Sequence, residues 1–173
     1  MKKHFLCFGI ICVLITSCIG WGLDDDVVNE DPFGPTFNYQ PVTMNRAEFE
    51  TTTSVESTPR TIINSGKIYV KGNYIYVNEV NKGFHIINNT DPTNPVNIGF
   101  IQVLGSSDLS IKENVFYVNN ATDLLAFTLD ESTETITITK RLENVFPQIW
   151  TPEGPGFYDI ADNEVIIDWE FIN

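Results

Sequence analysis

"IYVKGNYIYVN" at Ile68–Asn78 returns 41 residues later as "LSIKENVFYVN" at Leu109–Asn119. In each copy a Lys-Gly-Asn or Lys-Glu-Asn turn joins two short apolar runs, the pattern of a tight β-hairpin. The second run, Tyr74–Val77 or Val115–Val118, is apolar at every position, which suits a strand covered on both faces. "GFHIIN" (Gly83–Asn88) and "LLAFTL" (Leu124–Leu129) supply a third strand to each copy. After the turns "NTDPTNP" and "DESTET", the runs "VNIGFIQV" and "ITITKRL" supply a fourth. Four antiparallel strands in about 41 residues is the size of one propeller blade.

A third copy begins at "YDIADNEVIIDW" (Tyr158–Trp169), where Ile160, Asn163 and Val165–Asp168 stand in the places of Ile111, Asn114 and Phe116–Asn119. The spacing has grown by about eight residues, inserted within "FPQIWTPEGPGF". The sequence therefore predicts an all-β body over 61–173. Its antiparallel four-stranded blades lie at about 66–104 and 107–145, with a partial third at about 157–173. A pair of blades and a third of another cannot close a ring, since closure needs at least four. Three outcomes are open: a small β-sandwich capped by a helix, a homo-oligomer formed by pairing of bare edges, or a shortened propeller relative that folds poorly.

Upstream of the body, "NRAEFET" reads as one short N-terminal helix. Asn45 and Glu48 have capping-box spacing, and Phe49 is placed to plug the helix onto a sheet. The helix and the polar spacer "TTTSVESTPR" fill 43–60. Residues 18–42 combine Gly, Pro and Asn with an acidic cluster at Asp24, Asp25 and Asp26, which predicts a flexible, charge-extended tether. Calcium binding by this cluster with Glu30 and Asp31 is the sharper alternative. It fits poorly, because consecutive side chains of an extended segment point to different sides and do not close a cage.

The first 17 residues read as a signal peptide. Lys2 and Lys3 precede an apolar run from Phe5 to Ile15, too short to span a bilayer as a helix. Ile15-Thr16-Ser17-Cys18 resembles the bacterial lipobox, whose cysteine is lipidated and becomes the new N-terminus. By that resemblance Cys18 is the lipidation site and the membrane partner is reached through it; an ordinary secretory signal with an incidental Cys18 is the alternative. Cys7, Cys12 and Cys18 are the three cysteines, so the body has neither a disulfide framework nor a Cys-ligated metal site. The formal charge of −13 argues against nucleic acid, which needs clustered Lys and Arg.

"GFHIINNTDPTNPVNIG" resembles the unit of LVIVD-repeat proteins, matching at Gly83, Phe84, Ile86, Ile87, Asp91, Pro92, Asn94 and Pro95. The order of lipobox, tether, "MNRAEFE" and "GKIYVKGNYIYVNEVNKGFHIIN" is similar to that of LVIVD lipoproteins of Bacteroidota. The resemblance covers about Thr43 to Trp169 and implies a β-propeller in the cell envelope, at the outer membrane or on the cell surface. It implies no activity. Two features depart from the family: Asn88 stands where an acid is usual, and the family's blades suffice to close a ring.

Chemistry is sparse. His85 lies in a third strand and has no cysteine partner for a zinc site, so a structural or solvent-facing role is expected. Asp159, Asp162, Glu164, Asp168 and Glu170 alternate like the polar face of a strand. Read as paired acids of an envelope glycan hydrolase, they make the alternative to a non-catalytic binding or scaffolding module. No metal or other cofactor is implied. The inserted stretch carries Phe146, Trp150, Phe157 and Tyr158 with three prolines and two glycines. These aromatics form a candidate binding loop for a glycan or protein partner, or a cover for an exposed blade edge.

Overall fold

The computed structural model describes residues 38–130, 135–154 and 158–172; Cys18, the tether up to residue 37 and Phe157 lie outside the described residues. In chain order the elements are β1 (Tyr39–Asn45), α1 (Arg46–Phe49), β2 (Ser54–Glu56), β3 (Ser65–Lys71), β4 (Tyr74–Glu79), β5 (Gly83–Asn88), β6 (Val96–Gln102), β7 (Leu109–Lys112), β8 (Val115–Asn120), β9 (Asp123–Asp130), β10 (Thr135–Leu142) and β11 (Glu164–Phe171). They form three antiparallel sheets: β2-β6-β5-β4-β3, β10-β9-β8-β7 and β1-β11. The fold is nearly all β with one short helix.

The two repeated hairpins form as their sequences demand. Lys71 pairs with Tyr74 across Gly72-Asn73, and Lys112 with Val115 across Glu113-Asn114. Gly72 holds φ +57° and Glu113 holds φ +56°, so the first central position of each turn is left-handed. Glycine adopts that conformation freely, whereas glutamate does not. Glu113→Gly is therefore expected to stabilise the fold by about 0.5–1 kcal/mol, read as a higher urea midpoint.

Beyond the second strand the copies part by one residue. Blade 1 joins β4 to β5 through Val80-Asn81-Lys82, with Glu79 opposite Gly83; blade 2 joins β8 to β9 through Ala121-Thr122, with Asn120 opposite Asp123. Leu124 thus occupies the place of Phe84, and Leu125 that of His85. The three-residue loop brings Gly83 to φ +145°, where an added Cβ would lie 2.0 Å from the Ile101 carbonyl oxygen.

The two large sheets pack face to face. Tyr76, Phe84, Ile86 and Ile101 of the first interlock with Leu109, Phe116, Val118, Leu125 and Phe127 of the second, all buried. Tyr76 meets Phe116 edge-on at 5.2 Å between ring centres, and Phe116 stacks on Phe127 at 5.2 Å. Burying each such side chain is worth about 1.5–3 kcal/mol. The sandwich outcome is thus the arrangement seen within one chain.

The N-terminal segment does more than the sequence suggests. The boundary drawn at residue 42 falls inside β1, which pairs with β11, and the spacer contains β2, which extends blade 1 at β6 to five strands. The third unit contributes the single strand β11 among the described residues. Its partner is β1, from the other end of the chain, rather than a second strand of its own copy. Asn45 caps α1 by accepting the Ala47 amide at 3.0 Å. Phe49 is fully buried with Ala121, Val165 and Ile167, so it plugs the junction between the β1-β11 ribbon and the turn of blade 2. Two polar clasps reinforce that junction. Asp123 is paired with Arg46 and Arg141, each at 2.7 Å, and Asp168 binds Lys82 and Asn81 of the blade 1 turn.

Candidate binding cleft

Repeat equivalence shows how the outer faces differ. One cross-strand row of blade 1 is Tyr69, Tyr76, Ile86 and Gly99, a face covered by blade 2. The same row in blade 2 is Ser110, Tyr117, Ala126 and Lys140. Among the described residues no third four-stranded sheet covers this face, and apart from Tyr117 its residues are smaller or charged. Tyr117 departs from that trend: its counterpart Tyr76 is fully buried, yet Tyr117 is 37 % exposed.

Beside Tyr117 opens a cleft of about 540 Å³, walled on one side by blade 2 and on the other by the inserted segment. Phe146 and Trp150 line it, 39 % and 61 % exposed. The segment is laid down by its backbone and by buried neighbours. The Phe146 amide donates to Thr122 O at 2.9 Å, Trp169 Nε1 donates to Ile149 O at 3.1 Å, and Ile149 packs against the Phe49 cluster. Gln148 exchanges two hydrogen bonds with the Tyr158 backbone. The insertion thus covers the junction with Ile149 while presenting Phe146 and Trp150 to the cleft. Tyr158 turns away, edge-on to Trp169 at 4.6 Å, and lines a separate cavity of about 410 Å³ with Asp159, Asp162 and Glu164.

The floor of the cleft is tied together by hydrogen bonds. Asn119, the last residue of the second repeat phrase, accepts the amides of Ser107 and Asp108, both at 2.9 Å, and donates to Gly105 O at 3.0 Å. Asp108 binds Lys67 and the Tyr69 hydroxyl. Burial raises the Asp108 carboxyl, but these partners outweigh it and hold it below the usual carboxylate range. Burial and the same hydrogen bond push the Tyr69 phenol up to about 12.

His85 is structural in its surroundings. It is fully buried, with Nε2 3.0 Å from Glu79 and its ring 4.9 Å from that of Phe100. The cover is the segment before β3: Arg60 stacks over Phe100 at 4.2 Å, and the Ile63 and Asn64 amides donate to Glu79 at 3.0 and 2.6 Å. Burial raises the Glu79 carboxyl; the Ile63 amide, His85 and the Asn64 amide outweigh that and lower it. His85 and Glu79 line a cavity of about 570 Å³ shared with Asp168. Asp159 and Asp168, the first and fourth of the five acids considered for glycan hydrolysis, line different cavities. Among the described residues no three His, Cys, Asp or Glu side chains gather to hold a metal ion, and no helix is long and apolar enough to cross a membrane.

Sequence reasoning found Phe146 and Trp150 but missed Tyr117. The all-apolar run "VFYV" reads as covered on both faces, and nothing local says that one face lacks a neighbour. Compared with known families, residues 64–102 match the LVIVD repeat. The match runs from the residue before β3 to the end of β6, so one copy of the sequence repeat is one four-stranded blade. Asn88, the departure from the family pattern, accepts the Thr90 amide at 2.9 Å, a bond an acid there could also make. The repeat suggests a β-propeller-like module. No curated protein and no solved structure matches the chain significantly.

Proposed function

We propose that this chain, with its LVIVD repeat at 64–102, is a lipid-anchored protein of the cell envelope whose β-repeat body binds a partner without chemically altering it. The observation that carries the reading is the cleft beside Tyr117. A preformed concavity of about 540 Å³ with exposed aromatics from two separate elements is the usual form of a recognition site. Its floor holds Asn119 and Asp108 in hydrogen bonds to the chain's own groups, which supports binding over chemistry at this space.

The anchor rests on sequence. Ile15-Thr16-Ser17-Cys18 supports lipidation at Cys18, and the acidic stretch after it supports a body held off the outer membrane at the cell surface. Metabolic labelling with palmitate is expected to mark the wild-type chain and not Cys18→Ser, with the variant moving from the membrane fraction to the soluble one. Label retained by the variant, or absent from both, would remove the anchor.

A further inference from the structure

Resting on that reading of the cleft as a recognition site, we infer that its ligand is an uncharged oligosaccharide, stacked on Trp150, Phe146 and Tyr117. Charge is the first constraint. Among the described residues Asp108 is the one carboxylate of the lining and no Lys or Arg lines it, so an anionic ligand finds no counter-charge in the cleft of a chain whose formal charge is −13. A cationic ligand would have to take Asp108 from Lys67 and the Tyr69 hydroxyl, which hold it already.

The second constraint separates a sugar from a peptide. An extended peptide binds a sheet by main-chain hydrogen bonding to a bare strand edge. Here the amides along the cleft floor are spent: those of Ser107 and Asp108 on Asn119, and that of Leu109 on the Tyr69 hydroxyl at 3.0 Å and on Asp108 at 2.8 Å. What the cleft offers instead is side chains. Three exposed rings share the lining with the hydroxyls of Ser107 and Ser110 and the amide of Gln148. A pyranose has the matching chemistry, with a C–H-rich face to lie on a ring and peripheral hydroxyls for hydrogen-bonding groups. The volume lies within the range that holds ligands of a few rings, about 300–1,000 Å³.

The full chain in detergent would be titrated calorimetrically with cellohexaose, maltohexaose, xylohexaose and mannohexaose, with hexagalacturonic acid as the anionic control. At least one neutral hexaose is expected to bind saturably, and more tightly than the anionic one. Trp150→Ala and Tyr117→Ala should each weaken it by about tenfold or more, and Trp150→Ala should leave the urea midpoint in place. Trp150 is mostly exposed, so its loss reports on the ligand rather than on folding. No binding of any neutral hexaose, tighter binding of hexagalacturonic acid, or unchanged affinity in both variants would overturn the inference. A displayed peptide library selected in parallel distinguishes the two levels. Peptides that require Trp150, with no hexaose bound, would leave a recognition site but sink the saccharide; failure of both would remove the recognition site as well.

Discussion

Asp123→Ala is expected to lower stability by about 3–5 kcal/mol, because it leaves two guanidinium groups facing each other without their shared counter-ion. The Asp123 side chain is wholly buried, and Arg46 and Arg141 beside it are only 22 % and 13 % exposed. It also accepts the Asn144 amide at 3.1 Å, so its loss unpins α1, β10 and the following turn together. A urea melt followed by circular dichroism measures the effect. Replacing the whole set, with Asp123→Leu, Arg46→Met and Arg141→Met, should recover part of the loss, since buried ion triads exchange well for apolar packing. If Asp123→Ala costs less than about 1 kcal/mol, the pair is screened like a surface bridge and the clasp is unimportant.

The same carboxylate sets an acid limit. Burial raises the Asp123 pKa, but Arg46, Arg141 and the Asn144 amide outweigh burial and hold it below the usual carboxylate value. A folded pKa beneath the unfolded value, about 3.9 for Asp, means that the unfolded state binds the proton first as pH falls. The stabilisation is complete above the unfolded pKa and is lost as pH drops through the folded one. Glu79, Asp108 and Asp168 are lowered as well, so they add to the loss in the same direction. Urea midpoints should be level above about pH 5 and fall below about pH 4, less steeply in Asp123→Asn.

Gly83→Ala is the second large effect. At φ +145° with the Ile101 carbonyl oxygen 2.0 Å from an added Cβ, alanine must both adopt a strained backbone and push two paired strands apart. About 3 kcal/mol or more is expected. Gly72→Ala is the control: its φ is +57° but no atom lies within 4 Å, so only the conformational cost of about 1 kcal/mol remains. Equal losses in the two variants would show that the close approach of Ile101 is relieved cheaply and that Gly83 is needed for its φ alone.

Gly83 also shows what could be read in advance. Its place in the repeat motif was visible as a letter, and so were the paired hairpins, the cap at Asn45 and the burial of Phe49. Such features depend on residues near in sequence: a turn needs a glycine at one position, and a strand shows its period within six residues. The one-residue shift after Asn120 escaped, because the apolar runs "GFHIIN" and "LLAFTL" align equally well in either register.

The sequence by itself determined the blade as the unit, the β class of the body and two of the three aromatics at the cleft. Tertiary structure alone decided which strands close the assembly. β1 and β2 lie in stretches with the polarity of a tether and a spacer, and become strands because β11 and β6 offer unpaired edges. Their backbone amides and carbonyls gain partners whatever the side chains are. The same limit applies to Tyr117. Its sequence surroundings follow the same repeated phrase as those of Tyr76, and the lack of a third four-stranded sheet on its side, among the described residues, turns a core position into a wall of a cleft. Local pattern reports what a strand can bury; what is opposite it depends on contacts far away in the chain, where periodicity carries no signal.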